Sequence, residues 1–316
     1  MPAHVTALLA PVLASASAPL SYFQAILLGI LQGATELFPI SSLGHTVLFP
    51  TLFGWNELVK VQSQSESFWL AFVVLLHVGS ALGLLAYFWH DWVEIVKAFF
   101  ATLRKRRAET PTERLAWLII VATIPAGVIG LALEHQLRTL TAKPEVAAIF
   151  LMINGCVLFG AELFRRRAEV RELAIREGAK PDGGRQLATL EYREAAVIGV
   201  AQSTALVAGL SRDGVTMGAG LARGLDHSDS ARYAFLLATP IILAAGLFKL
   251  PDLLGPLGSP GGHSIRGQAV VACASAAITA VFTVAFLMRY FKTRTLVPFA
   301  IYCLLFGFSM FLYTTS

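Results

Sequence analysis

The sequence predicts an all-α polytopic membrane protein: six transmembrane helices plus two re-entrant helical hairpins, arranged as an inverted-topology repeat. Three observations lead there. Hydrophobic residues make up 56% of the 316-residue chain and charged residues 14%, the apolar residues fall into long uninterrupted runs, and the basic residues gather in alternate loops. A soluble domain carries about 25% charged residues. A chain this poor in charge cannot cover a water-facing surface, and a run of about 20 apolar residues is what crosses a bilayer.

Residues 1–20 read as an N-terminal extension ahead of a single integral membrane domain, 21–316. The apolar run 5–12 is followed by Ala14-Ser15-Ala16, which resembles a cleavage site. No Lys or Arg precedes that run, so a secretory signal peptide is not supported. The full spans are predicted at 68–89, 115–133, 146–164, 230–250, 268–288 and 296–313, with Glu162 and Lys249 near the ends of theirs. Cys156, Cys273 and Cys303 all fall inside spans, without metal-ligand or disulfide spacing, and read as packing residues.

The net charge of +5 reflects 25 basic and 20 acidic residues. Loop 90–114 holds six basic residues, loop 165–193 eight and loop 289–294 three, against two in 134–144 and one in 251–266. This is the positive-inside pattern, so the first three loops are expected in the cytoplasm and the other two outside. Nucleic acid is not an expected partner.

Two segments remain, 22–66 and 193–229. Each has two short apolar stretches around a polar, glycine-rich turn, too short to span and suited to a re-entrant hairpin. The charge pattern makes the first enter and leave from outside and the second from inside. A shift of 170 residues aligns the hairpins without a gap: Ala25 meets Ala195, Gly29 meets Gly199, Gln32 meets Gln202, Ser41 meets Ser211, Gly44 meets Gly214 and Thr46 meets Thr216. Each hairpin is followed by three spans, an odd number, so the two copies (about 22–164 and 193–314) are expected in opposite orientations. A site is then expected where the broken helices meet.

The first hairpin carries Gln32 and Glu36, four apart and on one helical face, then Pro39, Ser41, Ser42, Gly44 and His45. A carboxylate in apolar sequence points to function. Ser42 and His45, three apart, are expected to meet on a helix starting after Pro39. Helix capping by Ser41 or Ser42 and a backbone bond from His45 are the alternatives. The second hairpin carries Gly209, Ser211, Arg212, Asp213, Gly214 and Thr216. Arg212 offers a planar fork suited to phosphate, with hydroxyls from Ser211 and Thr216. Arg212 paired with Asp213 or Glu36 simply to hold the hairpins is the alternative.

These residues resemble the bacterial undecaprenyl-diphosphatase family, the bacitracin-resistance type of lipid phosphatase. That family's Glu or Gln, three residues, then Glu matches Gln32 to Glu36, and its Pro-x-Ser-Ser-x-Gly-His matches Pro39 to His45. Its Pro-Gly-x-Ser-Arg-Ser-Gly-x-Thr corresponds to 208–216, and 235–240 and 297–302 extend the likeness. Two positions depart from the pattern, and a third takes one of its two allowed forms. Ala208 stands for Pro, Asp213 stands for the second Ser, and Gln32 is the variant that lacks a carboxylate. Asp213 either restores that charge or repels a diphosphate.

The resemblance implies hydrolysis of undecaprenyl diphosphate to undecaprenyl phosphate and inorganic phosphate, recycling the lipid carrier of wall synthesis. It also implies a bacterial plasma-membrane location, a site open to the periplasm and a divalent cofactor, magnesium or calcium. The expected partners are the lipid substrate and membrane lipids, and a homodimer is a candidate assembly. On this reading Ser42 is the nucleophile with His45 as its base, Glu36 ligates the metal or acts as base, and Arg212 neutralises phosphoryl charge. Water activated by Glu36 or His45 is the other candidate nucleophile. Gln32, Ser41, Ser211, Asp213 and Thr216 are expected to line the substrate. His77, inside the first span, either supports the site or packs, and is not counted as catalytic.

A transporter or flippase of the lipid carrier is the rival reading, because inverted repeats and midplane polar sites are transporter features. A nucleophile beside a base favours an enzyme. A phosphatidate-type phosphatase uses a Ser-Arg followed by a distant His–Asp pair on a helix, and after Ser211-Arg212 no His appears until His227, which argues against that reading.

Overall fold

The computed structural model describes residues 20–55, 58, 68–141, 143–175, 186–248 and 266–316. Expectations for the extension 1–19, the loop around 176–185 and the loop 251–265 lie outside the described residues. Among the described residues the chain is all-helical, in eleven α-helices. They are α1 (Tyr22–Thr35), α2 (Ser42–Leu52), α3 (Phe68–Tyr87), α4 (Trp89–Lys105), α5 (Pro111–Thr141), α6 (Pro144–Ile175), α7 (Tyr192–Ser203), α8 (Arg212–Ala222), α9 (His227–Phe248), α10 (Arg266–Tyr290) and α11 (Val297–Thr315).

Five of these, α5, α6, α9, α10 and α11, contain stretches long and apolar enough to cross a membrane, and the bent pair α3–α4 makes a sixth. Their outer faces are apolar: Leu131 is 66% exposed, Leu305 65% and Phe282 72%. Such a continuous apolar exterior would aggregate in water and is matched to hydrocarbon. α5 and α6 both begin at a proline, where the missing N–H breaks no helical bond.

The segment 90–114, expected as a loop, instead holds most of α4, which turns 84° from α3 at Phe88. Counting charges hid its periodicity. Trp89, Val96, Phe100 and Leu103 form one exposed apolar stripe while Ile95 and Thr102 are buried on another face. Asp91 pairs with Arg232 and ties α4 to α9. Two more helices overrun the expected span ends, α5 to Thr141 and α6 to Ile175. Their extra turns are rich in Arg, Glu, Leu and Ala, all good helix formers.

The helices pack in matched pairs. α1 lies on α10 and α7 lies on α5, while α3 meets α9 and α6 meets α11. Gly29 and Gly199, brought into register by the 170-residue offset, do the same work in the first two pairs. A Cβ on Gly29 would stand 2.4 Å from the Ala272 carbonyl oxygen, and one on Gly199 would stand 2.1 Å from that of Ala122. Each hairpin is thus pressed, backbone to backbone, onto a long helix from the other half of the chain. At another contact, Glu162 of α6 accepts from His227 Nε2 of α9 (2.6 Å) and from Leu296 N before α11 (2.7 Å). Arg165 donates to the other ring nitrogen of His227 at 2.9 Å. The carboxylate near the end of the 146–164 span is therefore a three-helix tie.

Replacing Gly199 with Ala should force α7 and α5 apart and lower stability by about 1–3 kcal/mol through overpacking. Gly160→Ala, where nothing among the described residues lies within 4 Å of the added Cβ, should instead raise it by up to about 1 kcal/mol through helix propensity. Thermal unfolding of the two purified variants in one detergent compares them.

Candidate active site

The site forms where the two hairpins touch. α1 ends at Thr35, and Glu36 follows as its C-terminal cap. The chain then turns through Leu37–Ile40, and Ser41 caps α2, whose first residue is Ser42. In the second hairpin Ser211 caps α8, whose first residue is Arg212. Ser42 and Arg212 therefore occupy matching positions at the starts of two short helices. Such starts expose unpaired N–H groups and the positive dipole end.

Glu36 is the centre. Gln32 Nε2 donates to its Oε2 at 2.9 Å, as the four-residue spacing predicts. Ser42 Oγ donates to the same oxygen, and the Arg212 guanidinium donates to Oε1. His77 Nε2 lies 3.3 Å from Oε2. Glu36 and Gln32 are buried, whereas the side chains of Arg212 and His77 keep 20% and 16% of their exposure. These two residues therefore form the open side of the cluster. The Nδ1 of His77 donates to the Val73 carbonyl (2.8 Å), which turns Nε2 toward Glu36. A histidine inside the first span, left outside the catalytic set on sequence, thus belongs to this cluster.

His45 is placed differently from its expectation. With a proton on Nδ1 it donates to the Ser41 carbonyl (2.7 Å), and its Nε2 accepts from the Tyr302 hydroxyl of α11 (2.8 Å). Its ring is fully buried and stacks on Tyr302 and Phe306. Both nitrogens are engaged, and the group next to the Ser42 hydroxyl is Glu36. Three-residue spacing puts Ser42 and His45 on neighbouring parts of α2, but the pocket on α11 decides where the ring goes.

Ser41 is a joint between the hairpins. Its Oγ accepts from Gly44 N (3.2 Å), which caps α2, and from Gly209 N of the other hairpin (3.1 Å). Its φ of +71° is rare outside glycine, a conformation that persists only where the surroundings fix it. Gly209 itself has φ +104°, and a Cβ there would meet the Ala147 carbonyl oxygen at 2.5 Å, so only glycine fits that turn. Ser211 Oγ likewise accepts from Gly214 N (3.0 Å), so the residues paired by the repeat cap their helices alike.

Asn154 of α6 completes the joint. It donates through Nδ2 to the Pro39 carbonyl (2.9 Å) and accepts at Oδ1 from Ser211 N (3.0 Å), fully buried. The sequence signal was present: it is a lone amide in an otherwise apolar stretch of the third expected span. Asp213 and Thr216 are buried, and their side-chain oxygens have no hydrogen-bond partner among the described residues. Neither makes a hydrogen bond to the Glu36 cluster among the described residues. No group of three His, Cys, Asp or Glu side chains forms a metal cage among the described residues.

Known proteins similar to this chain match it over most of its length. Residues 25–309 match the family model described as Bacitracin resistance protein BacA. The chain is 51% identical to Undecaprenyl-diphosphatase of Mycolicibacterium paratuberculosis, covering 92% of this chain and 96% of that one. It is 49% identical to Undecaprenyl-diphosphatase 2 of Frankia alni (91% and 96% covered) and 43% identical to Undecaprenyl-diphosphatase of Acidiphilium cryptum (90% and 94%).

Ser41→Ala should strand two buried N–H groups and destabilise the protein by about 1–3 kcal/mol. Ser211→Ala loses a single capping bond and should cost about 1 kcal/mol. Equal shifts in thermal unfolding would show that the Ser41–Gly209 bond contributes nothing.

Proposed function

The chain belongs to the Bacitracin resistance protein BacA family, a multi-pass membrane family, and we propose that its Glu36 cluster hydrolyses undecaprenyl diphosphate to undecaprenyl phosphate and inorganic phosphate. The observation that carries this reading is one buried carboxylate that meets a serine hydroxyl from its own hairpin and an arginine from the other. Ser42 attacks the terminal phosphorus and passes its proton to Glu36 Oε2, to which it already donates. The anhydride P–O bond breaks, and undecaprenyl phosphate leaves with the bond's electron pair. Water then attacks the phosphoserine, its protons leaving on the released inorganic phosphate, and Glu36 returns its proton to the Ser42 oxygen as the P–O bond breaks.

Arg212 is the group that can turn from Glu36 to the phosphoryl oxygens, since it sits at the open side and its fork suits them. The starts of α2 and α8 add backbone N–H groups to that charge. His45, held by Ser41 and Tyr302, acts by fixing the start of α2 and not as the base at Ser42. The relatives' names favour hydrolysis over transport of the lipid.

Magnesium or calcium fits the oxygen donors here as an ion shared with the substrate. Magnesium characteristically uses one or two carboxylates plus substrate phosphates, and the buried Gln32 Oε1 beside Glu36 has no hydrogen-bond partner among the described residues. Glu36 and Gln32 Oε1 would hold it, and when bound it would offset the negative charge of the diphosphate. We further read the hairpins as re-entrant and the site as facing the exterior of the plasma membrane, supported by the loop charges and the short helices.

Purified protein should release phosphate from undecaprenyl diphosphate, and a chelator should stop it. Arg212→Ala should lower kcat by about 10²–10³ through loss of a charge-stabilising donor. Ser42→Ala should reduce turnover to background; a rate near wild type would transfer the attack to water. No release from well-folded wild-type protein would overturn the reading.

A further inference from the structure

The proposed reaction needs two groups from different hairpins held at one phosphorus. The Ser42–Glu36–Arg212 contacts cannot hold them through turnover, because Arg212 must leave Glu36 to meet the phosphate. Something that does not move must fix the turns. Asn154 sits on α6, which packs against both α2 and α8. Its two bonds reach Pro39, three residues before Ser42, and Ser211, immediately before Arg212. The partners dictate its orientation: a carbonyl only accepts and a backbone N–H only donates, so Nδ2 faces Pro39 and Oδ1 faces Ser211. Its Nδ2 also lies 3.3 Å from the Cys303 sulfur of α11. Neither an acid, a hydroxyl nor an aliphatic side chain of this length offers an N–H pair on one arm and an acceptor on the other.

We propose that Asn154 is a positioning residue for phosphoryl transfer, a spacer on a long helix that sets the distance between the Ser42 hydroxyl and the Arg212 guanidinium. It touches neither substrate nor metal. It acts through the two turn backbones, whose polar groups are buried and must find partners inside the protein. The Ser41–Gly209 bond holds the turns together, whereas Asn154 fixes both against a third element. The role rests on the hydrolysis reading above.

The test compares Asn154→Leu, which removes both bonds at similar size, with Asn154→Asp, which keeps the acceptor for Ser211 and loses the amide donor to Pro39. Steady-state phosphate release from undecaprenyl diphosphate is measured on protein that is monodisperse and folded by thermal unfolding. A displacement of about 1 Å costs on the order of 10²-fold, so Asn154→Leu should lose about that in kcat while KM changes by less than about threefold. Asn154→Asp should fall between the two and supplies the answer if the Leu variant does not fold. In the Arg212→Lys background the loss from Asn154→Leu should shrink well below its value in wild type, because residues acting as one unit are not additive. A purely structural role would lower the melting temperature and leave kcat per folded molecule unchanged. That result, or fully additive losses with Arg212→Lys, overturns the proposal while an active wild type leaves the hydrolysis reading standing. An inactive wild type overturns both.

Discussion

A carboxylate removed from water must be surrounded by donors, and Glu36 is the residue that imposes this requirement here. Charge at membrane depth is expensive, and removing one partner from a buried pair costs about 3–5 kcal/mol. The donors Gln32 and Ser42 come from its own hairpin and Arg212 from the other, and His77 of α3 stands 3.3 Å from the carboxylate. Three segments far apart in sequence therefore have to converge on one side chain. The glycine contacts of α1 and α7, the positive φ at Ser41 and the Asn154 bridge all serve that convergence.

The same groups that stabilise the resting cluster are those a phosphatase needs. Arg212 neutralises Glu36, and on the proposed reaction it would neutralise phosphate once substrate arrives. On the proposed reaction, the ion pair that the sequence raised as a purely structural alternative would be the ground state of the working arrangement. The hairpins are also held by contacts independent of that pair, through Ser41, Gly209 and Asn154, so opening the pair would leave them joined.

Much of this was legible in the sequence where short-range spacing governs it. Gln32 and Glu36 meet because a helix brings residues four apart together, and Ser41 and Ser211 cap because each precedes a short helix with glycine three residues on. The long apolar runs yielded α5, α6, α9, α10 and α11 for the same reason. Tertiary neighbours decided the rest. His45 turned to Tyr302, 257 residues away, and His77 was drawn to Glu36; neither choice has a local signature. α4 was concealed because its charged face dominated the count, although its apolar positions recur at helical spacing.

The seating of the hairpins has a bearing on biogenesis. α7 rests on α5, which is already made when α7 appears, but α1 rests on α10, which begins at Arg266. During synthesis the hairpin bearing Glu36 and Ser42 therefore waits without its wall until the last sixth of the chain, beginning at Arg266, enters the bilayer. Contacts so distant along the chain form late. A nascent chain halted before α10 would possess every ligand of Glu36 and still lack the surface that brings them together.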